Sequence, residues 1–183
     1  MLVKDVIKLA CNFTENDEIA NAIKNNTTLT ENQSVVVDML MNCFNLVRNE
    51  IATEYVPIIV KETIVPSDFK IYFSSFSNRV FEIISVKDNN GRNVKYKKFD
   101  DYLMVFAGQV EIVYKTIPEN LTISQSFSST LPERVFAYGV AREYYFTQTL
   151  FDDADIWEER FKNSLRVLTR KKSEIKMPNR RWA

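Results

Sequence analysis

The chain has 183 residues, 45% apolar and 13% aromatic, which suits one folded core or two halves sharing one and excludes a disordered chain. Its formal charge is zero but unevenly spread: from Arg160 to the end nine Lys and Arg stand against Glu174 alone, so this stretch carries +8 and residues 1–159 carry −8. Histidine is absent, which removes the commonest general base, the usual triad member and the commonest zinc ligand.

The first third reads as helical. Leu2, Val6, Leu9, Ala10 and Phe13 recur at the spacing of one buried helical face. Thr14 with Asp17 matches a capping box and predicts a second short helix over Glu15–Lys24, followed by a polar loop at Asn25-Asn-Thr-Thr28. Thr30 with Gln33 repeats the capping pattern and opens a long helix to about Tyr55. Its stripe of Val36, Leu40, Cys43, Val47 and Ile51 is widened by Val35, Met39 and Phe44, a face broad enough for more than one neighbour.

Pro57 marks the change to strand structure. From Ile58 to about Phe127 the apolar period falls to two. Phe69, Ile71 and Phe73 alternate with Lys70, Tyr72 and Ser74, and Phe81 and Ile83 with Glu82 and Ile84. Asp88-Asn-Asn-Gly91 is a hairpin turn signal, and Ala107-Gly108 is expected to join Tyr102–Phe106 to Gln109–Lys115 as the next pair. About six short strands result, enough for a small antiparallel sandwich or open barrel.

Helices resume at Thr130-Leu-Pro-Glu133, a capping box with proline in the first turn. That helix is expected to reach about Phe151, with Val135, Tyr138, Ala141 and Tyr145 on one face, and Gly139 reads as a site where a neighbouring helix packs closely. A last helix, capped by Asp152, carries Trp157, Phe161, Leu165 and Leu168, with Glu158 and Lys162 as an i,i+4 pair. The fold class is therefore α+β. A helical body of residues 1–56 and 128–175 holds an inserted β module of residues 57–127, and an extended tail occupies 176–183.

Cys11 and Cys43 lie in apolar helical patterns without CxxC spacing and read as buried thiols. No signal peptide precedes the Asn-X-Ser/Thr triplets, and no apolar run approaches the ~20 residues that span a bilayer. A soluble protein made inside a cell is the expectation. Three scattered glycines assemble no phosphate-binding loop. Asp152, Asp153, Asp155, Glu158 and Glu159 could be read as a cation site, but they lack the glycine and spacing of a calcium loop and suit a helix N-terminus better. Asp100-Asp101 reads as a turn. No catalytic residue, metal ligand or cofactor site is expected, and the chain does not read as an enzyme.

The chain ends Lys176-Met177-Pro178-Asn179-Arg180-Arg181-Trp182-Ala183, where proline stops a helix and a strap with two guanidiniums and an indole follows. Such side chains are enriched at interface anchors, so Met177, Pro178, Asn179, Arg180, Arg181 and Trp182 are the candidate partner-binding residues. A competing reading is a nucleic-acid-binding module using the basic C-terminal helix and tail.

The series Glu133-Arg-Val-Phe-Ala-Tyr-Gly-Val-Ala-Arg-Glu-Tyr-Tyr-Phe146, Asp152-Asp-Ala-Asp-Ile-Trp157-Glu-Glu-Arg-Phe161-Lys-Asn-Ser-Leu165 and Pro178-Asn-Arg-Arg-Trp182 resembles the head-to-tail adaptor (connector) proteins of tailed bacteriophages. In that family a helical body assembles as a ring beneath the portal, and a C-terminal tail docks onto the portal. The resemblance covers roughly residues 130–183. The β segment departs from the smallest, nearly all-helical members and would reach toward tail components or a neighbouring copy. The partners implied are the portal protein, copies of the chain itself in a ring expected to be a dodecamer, and a downstream tail or stopper protein. DNA would pass through the ring without specific binding. The implied location is the virion head–tail junction after synthesis in the bacterial host cytoplasm.

Overall fold

The computed structural model describes residues 1–169. Among these residues five α-helices and six strands form an α+β fold in which helices from both parts flanking the strands enclose one core and two small antiparallel sheets enclose another.

Helix α1 (Val3–Phe13) buries Val3, Val6, Ile7, Ala10 and Cys11. Its buried face is turned from the predicted stripe, because Leu2 serves as the helix cap and is exposed while Val3 donates its backbone N–H to the Gln125 carbonyl. Helix α2 (Asp17–Asn25) begins later than expected and without the Thr14–Asp17 capping box. The Thr14 hydroxyl is already committed to α1, donating to the Ala10 carbonyl at 3.0 Å, and Glu15 turns the chain at φ 58°. Helix α3 (Glu31–Glu50) does start at the Thr30–Gln33 box, with both reciprocal hydrogen bonds formed. Val37, Leu40, Met41, Cys43, Phe44 and Val47 are buried, whereas Val35 is exposed.

The long helix closes in a π-helical turn, Ile51–Tyr55, just before Pro57. Two local causes meet there. The Thr53 hydroxyl bonds back to the Asn49 carbonyl at 2.9 Å, and a residue preceding proline disfavours the α conformation.

Strands β1 (Ile58–Ile64), β3 (Val80–Asp88) and β6 (Val110–Thr116) form one sheet in the order β1-β6-β3. Strands β2 (Lys70–Tyr72), β5 (Tyr102–Val105) and β4 (Tyr96–Lys98) form the other in the order β2-β5-β4. Ile71, Leu103 and Val105 from the second sheet pack with Val86, Val110, Ile112 and Tyr114 from the first, so the β module is a small sandwich. The turn at Asp88–Gly91 forms as expected. The Asp88 carboxylate accepts from the Asn90 and Arg92 N–H groups, and Gly91 takes φ 76°.

Two strand expectations are corrected. Ala107-Gly108 does not close a hairpin, because β5 and β6 lie in different sheets and the segment carries the chain between layers. The alternation over Phe81–Ile84 is broken by register shifts between Val80 and Glu82 and between Ile83 and Ser85, and the extra residues Phe81 and Ile84 are exposed.

Helix α4 (Glu133–Thr147) stops four residues short of the expected end, and Thr149 then takes φ 60°. The Thr130–Glu133 box is not made; Pro132 occupies the cap position without a side-chain bond, and the Ser129 hydroxyl instead accepts from the Leu131 N–H. Helix α5 (Phe151–Thr169) starts one residue ahead of Asp152, so Asp152 sits inside its first turn rather than capping it. Ala154, Phe161 and Leu165 are buried on α5, Trp157 is half-buried, and Leu168 is exposed.

Gly139 on α4 is a contact point of three helices, as its position inside a helix suggested. A Cβ there would lie 2.6 Å from Val47 Cγ1 of α3 and 3.0 Å from Phe161 Cε2 of α5. Hydrogen is the only substituent the packing admits without a shift.

Candidate interaction surfaces

The predicted anchor residues Met177, Pro178, Asn179, Arg180, Arg181 and Trp182 lie outside the described residues. The cationic stretch leading toward them begins within α5, and two of its charges are engaged locally. The Arg160 guanidinium stacks 4.8 Å from the Trp157 ring centroid, and Lys162 pairs with Glu158.

One polar cluster lies where α3, α4 and α5 meet. Arg142 is buried, an uncommon position for a charge. It donates from Nη1 to Glu158 at 2.8 Å and to Glu50 at 3.2 Å, and from Nη2 to Glu143 and the second Glu50 oxygen. Its guanidinium lies 4.8 Å from the Phe161 ring centroid. Burial alone would lower the guanidinium pKa, but the hydrogen bonds to Glu50 and Glu158 outweigh it and hold the group above its ordinary value. The same geometry keeps the Glu158 carboxyl below its ordinary value: burial pushes it up, and the bonds from Lys162 and Arg142 pull it down further. Opposite charges and bidentate bonds make this cluster a clamp joining the end of α3 to the C-terminal helices. The arginine appears in the α4 sequence, but nothing local marks it as buried, because its partner Glu50 is 92 residues away.

The sandwich presents an aromatic face to solvent. In the second sheet Ile71, Leu103 and Val105 point inward, which by strand alternation turns Lys70, Tyr72, Lys97, Tyr102 and Met104 outward. Phe99 stacks on Tyr102 at 4.7 Å with 16° between planes, and the Lys70 ammonium lies 5.1 Å from the Tyr102 centroid. At the other end Phe69, held at φ 61°, packs on Phe106 at 5.3 Å, yet the two rings remain 55% and 68% exposed. A positive φ at a bulky aromatic is strained backbone, and here it turns an apolar ring toward water. Beside this pair Val94, Lys95, Tyr96, Lys97, Met104 and Phe106 line an open groove of about 440 Å³. Tyr72 meets Tyr102 across strands.

The helical body presents a second exposed apolar feature of opposite charge. After α4 the turn at Thr149 projects Leu150 and Phe151, which is 58% exposed, and Phe146 and Ile156 flank them. Asp152, Asp153, Asp155 and Glu159 follow on α5, all exposed, and among the described residues none has a salt-bridge partner. Glu15 and Asp153 both bear on Tyr145, whose pKa is raised first by burial and then by these two charges, so the acidic surface extends onto the α1–α2 turn. Reading the helix as continuous to Phe151 concealed this corner.

Both thiols are buried: burial pushes Cys11 up to about 12 and Cys43 to about 11. Neither is available as a thiolate near neutral pH. Among the described residues no helix is long and apolar enough to cross a membrane. No protein-family model matches the chain, and no curated protein matches it in sequence.

Proposed function

We propose that the protein is a structural subunit of a bacteriophage head-to-tail connector, forming a ring through contacts between copies and docking on the portal through its C-terminal tail. The observation that carries this reading is the pair of exposed apolar faces of opposite charge, Lys-bearing on the β module and carboxylate-bearing at the α4–α5 corner. A closed ring needs two different surfaces on every copy, one meeting the other around the rotation. A compact body whose charge is balanced only by a strongly basic end adds a third surface, suited to an acidic recess on another protein.

In this reading Trp182 fills an apolar pocket of the portal while Arg180 and Arg181 contact carboxylates, and Met177 and Pro178 limit the freedom lost on docking. The β module faces the downstream tail or stopper protein or the next copy. The protein acts by holding parts together at the head–tail junction of the virion and does no chemistry of its own. The resemblance of residues 130–183 to connector proteins points the same way.

A nucleic-acid module using the basic end receives less support, since Arg160 and Lys162 are already occupied by Trp157 and Glu158. Removing the chain from Met177 onward tests the proposal. The truncated protein is expected to fold normally and to lose attachment to its portal in a pull-down; full attachment without those residues would refute the tail's role.

A further inference from the structure

The two exposed apolar faces are complementary in charge. The groove of the second sheet is concave, apolar at Met104 and Phe106, and rimmed by Lys95 and Lys97, with Lys70 across the same row. Among the described residues these three lysines have no salt-bridge partner. The α4–α5 corner is its counterpart, an exposed Leu150–Phe151 pair followed directly by Asp152 and Asp153. Lysines at the groove and carboxylates at the corner, without salt-bridge partners among the described residues, stand beside exposed apolar side chains, so pairing the two surfaces would cover apolar area and bring opposite charges together.

We infer that the groove lined by Lys95, Lys97, Met104 and Phe106 receives the Leu150–Phe151 corner of a second copy of this chain, with Asp152 and Asp153 meeting the lysines. This rests on the ring reading and assigns the β module its part in it. The contact is heterologous, groove to corner, so an open chain of copies keeps one free groove and one free corner until the ring closes. It also explains two strained positions. Thr149 at φ 60° turns Leu150–Phe151 out of the helical body, and Phe69 at φ 61° brings its ring to the Phe106 edge of the groove. The contact uses none of the candidate tail residues Met177–Trp182.

Charge exchange tests the pairing on the full chain, by sedimentation velocity over a concentration series. Lys95→Glu/Lys97→Glu and Asp152→Lys/Asp153→Lys should each weaken self-association at least tenfold while circular dichroism stays that of the wild type. Mixing the two variants, or combining all four changes in one chain, should restore assembly, because every groove then finds a corner of opposite charge. As an independent measurement, Phe106→Cys/Phe151→Cys should form disulfide-linked multimers on mild oxidation, since the native thiols are buried. Wild-type assembly that all the reversals leave intact would overturn the pairing and leave the ring reading standing. A wild-type chain that stays monomeric both alone and with portal would overturn both. Binding of an oligo-dT strand that Lys95→Glu/Lys97→Glu abolishes, with assembly unaffected, would assign the groove to nucleic acid and overturn the proposal.

Discussion

Replacing Gly139 with alanine tests the packing of the helical body at its tightest point. The added methyl would stand 2.6 Å from Val47 Cγ1 and 3.0 Å from both Val47 Cγ2 and Phe161 Cε2, closer than van der Waals contact allows. Both neighbours are themselves buried, so relief requires α3 or α5 to move relative to α4. Overpacking costs about 1–3 kcal/mol, and contacts this short to buried side chains place the site in the upper half of that range, about 2–3 kcal/mol, while alanine regains ~1 kcal/mol of helix propensity. The expected net loss is about 1–2 kcal/mol, which corresponds to a fall in Tm of roughly 2–8 °C for a chain of this size. Urea denaturation followed by far-ultraviolet circular dichroism measures it. The double-mutant cycle with Val47→Ala sharpens the test, because removing both Val47 methyls should make the second substitution cheaper by about 1 kcal/mol. A Gly139→Ala protein as stable as the wild type or more so would show that propensity decides here and would refute the close three-helix contact.

Further outcomes follow from the same core. Arg142→Met should cost about 3 kcal/mol, the low end for breaking a buried ion pair, because Glu50, Glu143 and Glu158 are each about a quarter exposed and regain some hydration. Arg142→Lys should recover little of this in the same denaturation assay, since one ammonium cannot reproduce the two-nitrogen fork. The lowered pKa of Glu158 means that its contribution is present above the ordinary carboxylate range and is lost as pH falls through its folded value. Urea midpoints should therefore decline in acid, and Glu158→Gln should flatten that decline. Cys11 and Cys43 should react with an aromatic disulfide reagent only as fast as the protein opens, and at the normal thiol rate in denaturant.

Local interactions were legible from residue order. The Thr30–Gln33 box formed because both partners lie within one turn of each other and need no distant contact. The turn at Gly91, the burial of both cysteines, the Glu158–Lys162 pair and the close packing at Gly139 belong to the same group. Where local signals failed, a neighbour had already claimed the group. Thr14 capped nothing because its hydroxyl closes α1, and the Thr130 box was not made because Pro132 takes the cap position. The candidate anchor residues of the tail lie outside the described residues.

Spacing and composition alone thus determined an α+β chain with helices at both ends, a six-stranded middle and a strongly basic close, since these depend on periods of two and 3.6 residues and on charge counting. Tertiary structure alone decided that β5 and β6 belong to different sheets, that Arg142 gathers carboxylates from three helices, and that the chain bends outward at Thr149. The reason is the range of the forces involved. Strand partnership, charge burial and the aim of an exposed corner depend on segments far apart in sequence, whose meeting is chosen by the whole fold and written in no short stretch of it.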